Sequence, residues 1–246
     1  MRILIISDVH ANKYPLEKIF ETARAIDYVI FLGDAVDYGP HPVEVIDLLR
    51  DYVDVWVMGN HDNAVAFGVD CQCASALHEL SVYVREKVTH TLIEKDQLEL
   101  LRKLPLKRKI NIRDNIFYCV HASPRDPLYE YVTPDLPNEE LLKVLHEKTI
   151  DEEKLVEANY VLLGHSHKPF SRQVAGIKVI NPGSVGQPRD GDPRASFAIL
   201  DLQKKEISIK RLKYPVEKTI ADIKKFKLEK KYEKMLIEIL LTGHVP

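Results

Sequence analysis

Five apolar runs in this chain end in side chains that bind metals or move protons. "RILIIS" is followed by Asp8 and His10, "YVIFLG" by Asp34 and Asp37, and "VDVWVMG" by Asn60, His61 and Asp62. "NIFYCV" is followed by His121, and "YVLLG" by His165 and His167. Runs this short, rich in β-branched residues, have the texture of buried strands. In parallel α/β sheets ligands collect outside the carboxyl ends of the strands. The pattern therefore predicts one rim to which several strands deliver acids, an amide and imidazoles. Imidazole nitrogen mixed with carboxylate and amide oxygen, without thiolate, suits Mn²⁺, Fe or Zn²⁺ better than a structural zinc site. The set exceeds what one catalytic ion needs and predicts a pair, an arrangement suited to displacement at phosphorus.

Each residue alone has a plainer role. Asp8 can cap the next helix, Asp34 or Asp37 can serve a turn, and Asn60 can supply a left-handed conformation. A lone histidine at a strand end is more often structural than a ligand. The plain account needs a separate coincidence at each strand end, whereas a shared metal site needs one cause.

The elements that must hold these residues follow from periodicity. Strands at 2–7, 28–33 and 53–59 alternate with helices at 14–26 and 42–52, a β-α-β-α-β opening that predicts parallel strands with right-handed crossovers. In the first helix Leu16, Ile19, Phe20 and Ala23 share a face. Residues 75–103 read as mostly helical. Strands are predicted at 115–121 and 160–165, with a helical stretch over 138–157 between them. "IKVINPGS", "ASFAILDL" and "EISIKRL" read as short antiparallel strands, and the Lys/Glu-rich tail from about 217 to 242 as helical. The expected architecture is α/β, two sheets sandwiched between helices, with residues 1–246 forming a single domain.

Bulk properties narrow the function classes. The chain has 35 Lys and Arg against 37 Asp and Glu, a net charge of -2, so there is no global basic field for a nucleic-acid backbone. No dedicated nucleic-acid-binding region is evident. The opening apolar run is too short for a signal peptide, and no run approaches the roughly 18 apolar residues of a membrane span. A cytoplasmic protein without a membrane partner is expected, as monomer or homodimer. Three cysteines, with Cys71 and Cys73 as a Cys-x-Cys pair, give neither a disulfide framework nor a four-ligand zinc spacing. Reduced thiols are expected, a redox pair being the minor reading.

D-x-H, G-D-x-x-D-x-G, G-N-H-D, a lone His after a strand, and G-H-x-H, in that order over residues 8 to 167, resemble the calcineurin-like metallophosphoesterase superfamily. "NPGSVGQPRDGDPRASFAILD" (181–201) also resembles its small prokaryotic phosphodiesterase-like branch. The resemblance implies a four-layer αββα sandwich of two mixed β-sheets flanked by helices. It implies two divalent ions, Mn²⁺ first, with Fe, Zn²⁺ or Ni²⁺ as alternatives. Asp8, His10 and His167 match the ligands of one ion, Asn60, His121 and His165 those of the other, and Asp34 the bridging carboxylate. His61 matches the catalytic histidine that is not a ligand, and Asp37 the acid paired with it. The implied activity is hydrolysis of phosphodiesters or small phosphorylated molecules through a metal-bridging hydroxide, with His61 protonating the leaving oxygen.

The chain departs from the pattern at Tyr38, where the protein Ser/Thr phosphatases and the symmetrical diadenosine tetraphosphate hydrolases have an arginine. A tyrosine cannot make the bidentate phosphate grip of a guanidinium. Tyr38, Arg125, Arg189 and Arg194 are therefore the candidate substrate contacts, although an arginine in such a place is more often a surface or loop ion-pair partner. The loop 122–137, which follows His121 directly, is expected to overhang the site. Its Tyr129 and Tyr131 either stack on an aromatic leaving group or pack the loop. Two other functions remain open: a dinucleoside polyphosphate hydrolase, which Tyr38 counts against, and a non-catalytic phosphate-binding scaffold, which the filled strand ends count against.

Overall fold

The computed structural model describes residues 1–148 and 153–246. Strand β1 (Arg2–Ile6) shows how the layers arise. Successive side chains of a strand point to opposite faces. Ile3 and Ile5 therefore enter one apolar cluster, and Leu4 and Ile6 another. A strand buried on both sides belongs to a sheet covered on both sides.

From β1 the chain continues through α1 (Lys13–Thr22), β2 (Tyr28–Phe31), α2 (Pro42–Tyr52), β3 (Val55–Trp56) and α3 (Asn60–Phe67). Helix α4 (Ser75–Val84) then runs through a π-helical turn (Arg85–Thr89) into α5 (His90–Leu92), and α6 (Lys95–Lys103) follows. Next come β4 (Lys107–Ile112), β5 (Asn115–Val120), α7 (Asn138–Val144), β6 (His146–Lys148), β7 (Glu153–Leu155) and β8 (Tyr160–Leu162). The last elements are β9 (Phe170–Val174), β10 (Ile177–Asn181), β11 (Ala195–Asp201), β12 (Glu206–Leu212), α8 (Val216–Lys225) and α9 (Lys230–Thr242).

One sheet has the order β12-β11-β1-β2-β3, the other β4-β5-β8-β10-β9. Both are mixed: β1, β2 and β3 run parallel, as do β5, β8 and β10, while β11, β12, β4 and β9 pair antiparallel to their neighbours. Between the sheets lie Ile3, Ile5, Ile30 and Leu32 against Phe117, Cys119, Leu162 and Ile180. Outside the first sheet Leu4, Ile6 and Phe31 meet Leu16, Ile19, Val45, Ile46 and Leu49 of α1 and α2. Outside the second, Tyr118, Val120 and Val161 meet Leu141 and Val144 of α7. Helix, sheet, sheet, helix is the expected four-layer order. No helix among the described residues is long and apolar enough to cross a membrane.

Three sequence expectations need correction. The helix expected over 138–157 stops at Val144, and the chain turns into β6 and β7, which pair antiparallel. Their Lys and Glu residues favour helix, but pairing, and packing of Leu155 and Val156 on the second sheet's cluster, outweigh that small preference. Residues 149–152 of that stretch lie outside the described residues. The strand expected over 53–59 pairs only at Val55–Trp56, because Met58 N donates to Pro105 O at 2.8 Å and leaves the ladder. The three late strands do not form one antiparallel group, since β10 lies in the second sheet beside parallel β8. Strands β4 and β9 escaped the sequence reading because they are the edges of the second sheet. Exposed Lys107, Arg108 and Lys109 mask the apolar alternation there, as charges on edge strands commonly do.

Candidate metal centre

The carboxyl ends of β1, β2 and β3 meet those of β5 and β8 across the junction of the two sheets, and every predicted ligand lies there. Asp8, His10 and His167 offer ligand atoms within 4.8 Å of one another, as do Asp8, Asp34 and His121. Asp34 Oδ2 is 3.7 Å from His10 Nε2 and 3.3 Å from His121 Nε2, so one carboxylate oxygen faces both groups. Asn60 Oδ1 lies 3.0 Å from His121 Nε2 and 3.1 Å from His165 Nδ1. All seven are buried.

The chain bends sharply to achieve this. Asp8, His10, Asp34, Asp37, His165 and His167 all have positive φ, between 46° and 67°. Left-handed backbone at a residue with a Cβ costs on the order of 1–2 kcal/mol and clusters at functional sites. Close approach of the turns requires Gly59 and Gly164. A Cβ on Gly59 would fall 2.1 Å from Asp34 Oδ1, and one on Gly164 would fall 2.0 Å from Ser7 Oγ.

The side chains fit divalent ions. His10, His121 and His167 each donate Nδ1–H to a backbone carbonyl, of Val36 at 3.0 Å, Leu32 at 2.7 Å and Gln187 at 2.5 Å. That fixes the tautomer and leaves Nε2 as the ligating nitrogen, the usual arrangement of metal-bound histidines. His10 Nε2 and His167 Nε2 face each other at 3.2 Å. Asp8 Oδ1 and His165 Nε2 are buried without a hydrogen-bond partner among the described residues. Lone pairs that converge and stay unpaired in a buried site are what a cation would satisfy.

The electrostatics agree. Burial opposes charge on every member, yet the histidines around Asp8 and Asp34 hold both carboxyls below their usual range. Burial and the neighbouring imidazoles push His165 down to about 3. Burial also opposes charge on His121, but Asp34 raises it to about 9. Burial first, then the Arg189 charge, holds His167 below its usual pKa.

His61 stands beside the ligands. Its Nδ1 lies 2.9 Å from Asp37 Oδ2, and its ring meets that of His10 edge-on at 5.1 Å. Burial disfavours the imidazolium, but Asp34 and Asp37 raise its pKa above the usual value.

The candidate substrate contacts divide. Tyr38 is buried, its hydroxyl donating to Cys73 Sγ at 3.7 Å, with its ring 5.0 Å from those of both His10 and His61. The Arg189 guanidinium sits 5.6 Å from the centre of that ring and donates to Gln187 Oε1. Arg125 pairs with Glu130, and Arg194 with Asp192. From the overhanging loop, Tyr131 places its ring 4.1 Å from that of His165, and Tyr129 Oη accepts from Asn63 Nδ2 at 3.3 Å.

Other parts of the site had no role assigned from the sequence. Asp62, the last letter of "GNHD", accepts backbone N–H groups of Asp34 and Ala35 at 2.8 Å and of Gly59 at 3.0 Å, tying two strand ends together. Burial, then repulsion from Asp34, raises its carboxyl to about 6. Cys71 and Cys73 are free, buried and next to His61, with Sγ atoms 3.0 Å apart. The Cys71 carbonyl accepts from Asn60 Nδ2 at 2.7 Å and so aims Asn60 Oδ1 at the histidines. Arg85 and Thr89 both donate to Asp37. The "GNHD" motif contained Asp62 and the Cys-x-Cys spacing marked Cys71 and Cys73, but nothing local pointed to Arg85 or Thr89.

Known proteins resemble this chain in sequence and fold. The calcineurin-like phosphoesterase superfamily domain matches residues 1–205. An uncharacterized protein of Methanocaldococcus jannaschii is 31% identical over 247 residues, which span 92% of this chain and 93% of that one. The crystal structure of a metallophosphoesterase from Sphaerobacter thermophilus superposes with a TM-score of 0.80 at 29% identity, over 99% of both chains. A hypothetical protein from Pyrococcus horikoshii, at 21% identity, shares the fold with a TM-score of 0.78 over 100% of this chain and 99% of its own. On these matches the chain belongs to the calcineurin-like phosphoesterase superfamily and is a phosphoric ester hydrolase of a metal-dependent family.

Proposed function

We propose that the protein is a dinuclear metal phosphoesterase, with Mn²⁺ as the preferred ion, that hydrolyses phosphodiesters or other small phosphorylated molecules. The observation that carries this reading is the position of Asp34, one oxygen of which faces histidines from both sheets. Asp8, His10 and His167 would hold one ion, Asn60, His121 and His165 the other, and Asp34 both. When bound, such ions lower the pKa of a water and neutralise charge on the phosphoryl oxygens.

The chain's own groups do the rest. Asp37 holds His61 at Nδ1, which leaves Nε2 to give a proton to the departing oxygen as the P–O bond breaks. General acid catalysis of this kind contributes typically about 10²–10⁴-fold. Arg189, stacked on Tyr38 and held by Gln187, is the cation placed to receive a phosphoryl oxygen. Tyr131, over His165, narrows access from the loop side.

The test is hydrolysis of matched nitrophenyl phosphate mono- and diesters by chelator-stripped protein, with Mn²⁺ added back and His61→Ala alongside. Metal-dependent diester turnover that falls in the variant supports the proposal. Turnover of neither ester by protein that binds two ions would reject it and favour a pyrophosphate-bond substrate or a binding role.

A further inference from the structure

The pair formed by His61 and Asp37 has a third member that no motif announces. Arg85 Nε and Nη2 donate to Asp37 Oδ2 at 2.8 and 2.6 Å, the same oxygen that takes His61 Nδ1 at 2.9 Å. Thr89 Oγ1 donates to the other oxygen at 3.2 Å. Arg85 Nη2 also donates to Ser81 Oγ at 3.0 Å, and that hydroxyl lies 3.3 Å from His61 Nδ1. Asp37 and Thr89 are 0% exposed and Arg85 only 5%, so bulk solvent does not screen these bonds. Ser81 and Arg85 are four apart and share a face of the helix. Arg85 and Thr89 bound the π-helical turn, a rare insertion found frequently at functional sites.

A buried carboxylate is costly unless paired with a cation and fully hydrogen-bonded. Guanidinium is the suitable partner: permanently charged, planar, and able to present adjacent N–H groups in fixed geometry. With two of its donor nitrogens committed to Asp37, Arg85 is poorly placed to grip substrate; its effect must pass through the carboxylate.

We propose that Arg85 is a positioning residue for proton donation: it locks the Asp37 carboxylate, which in turn holds the His61 ring with Nδ1 inward and Nε2 left for the leaving group. This rests on the reading of His61 as the proton donor.

The test compares 4-nitrophenyl with unsubstituted phenyl esters, of whichever ester class the protein hydrolyses, in fully metal-loaded protein. A poor leaving group needs the proton more than a good one. Arg85→Met should slow the phenyl ester by about 10- to 100-fold, part of the usual range for a general acid. The nitrophenyl ester should slow much less, with KM and metal content unchanged. Arg85→Lys should recover part of the loss. In Zn²⁺-loaded protein, imidazole nitrogen NMR should report His61 protonated at both nitrogens in its donor form and only at Nδ1 once Nε2 has lost its proton, with a mixture of the two neutral tautomers in Arg85→Met. Should Arg85→Met fail to fold, Asp37→Asn/Arg85→Met, which leaves no uncompensated charge, carries the test. Its leaving-group preference should then equal that of Asp37→Asn alone.

Equal slowing of both esters, or a double variant worse than Asp37→Asn, would overturn the proposal. His61→Ala, run in parallel, separates the two readings. If it shows no selective loss on the phenyl ester, the proton-donor role fails. If it does and Arg85→Met does not, only the positioning role fails.

Discussion

Asp34 serves both halves of the site and also accepts His61 N through Oδ1 at 2.9 Å. Asp34→Asn keeps that acceptor while removing the charge shared by the two histidine groups. Metal analysis should therefore show fewer than two ions per chain, and full retention of two would reject the bridging role. The arginines give a second residue-scale test. A charge-assisted hydrogen bond is worth about 1.5–3 kcal/mol, so Arg189→Ala should raise KM roughly tenfold or more with a smaller change in kcat. Arg125→Ala and Arg194→Ala, which break ion pairs with Glu130 and Asp192, should leave KM within about twofold, as expected for surface pairs. Equal effects at all three positions would remove Arg189 from the substrate site.

At the scale of elements, helices α8 and α9 lie beyond the matched domain, which ends at residue 205, yet they brace the centre. Ile223, Leu236, Ile239 and Leu240 pack with Tyr38 and with Leu77, Leu80 and Val84 of α4, the helix that leads to Arg85. Thr219 donates to Asn12 two residues after His10. Asp222 accepts from Tyr14 Oη at 2.7 Å and pairs with His41 Nε2 at 2.9 Å. Burial opposes charge on Asp222, but bonds from Lys225, Tyr14 and His41 outweigh it and keep the carboxyl below its usual 3.8. Burial lowers His41 below 6.5, partly offset by Asp222. Both folded-state values are depressed, so both contributions to stability are complete at neutral pH and lost on acidification. His41 loses its share as pH falls below 6.5, and Asp222 only below about 4. Asp222→Asn should lower Tm at pH 7 by a few degrees, consistent with about 1–2 kcal/mol. The gap to the natural protein should close as the carboxyl protonates in strong acid. A gap independent of pH would mean that the charge of Asp222 contributes nothing.

For the whole molecule, the division of ligands between sheets matters. Asp8, His10, Asp34 and Asn60 follow strands of one sheet, and His121, His165 and His167 strands of the other. Bound ions would cross-link the sheets at the rim as the apolar layer of Ile5, Leu32, Phe117 and Leu162 does in the interior. A ligand at 100 times its Kd stabilises by about 2.7 kcal/mol. Saturating Mn²⁺ should raise Tm of the chelator-stripped protein by roughly 5–10 °C, given about 2–4 °C per kcal/mol for a chain of this size. Thermal unfolding that ignores the metal, with two ions bound, would contradict the cross-link.

The sequence by itself determined which side chains stand at the strand ends, because a buried parallel strand is a continuous apolar run that stops where the chemistry begins. That signal is local, and it sufficed for Asp8, His10, Asp34, Asn60, His61, His121, His165 and His167 as candidates, and for the layered architecture. Edge strands β4 and β9 were hidden because half-exposed strands lack the run, and the β6–β7 pair because Lys and Glu read as helix. Only the tertiary structure decided what surrounds the candidates. Arg85 reaches Asp37 across 48 residues, Cys71 sets the Asn60 amide, and Asp222 holds His41 across 181. Such contacts depend on which surfaces meet after packing, and the local periodicity of the chain carries no record of them.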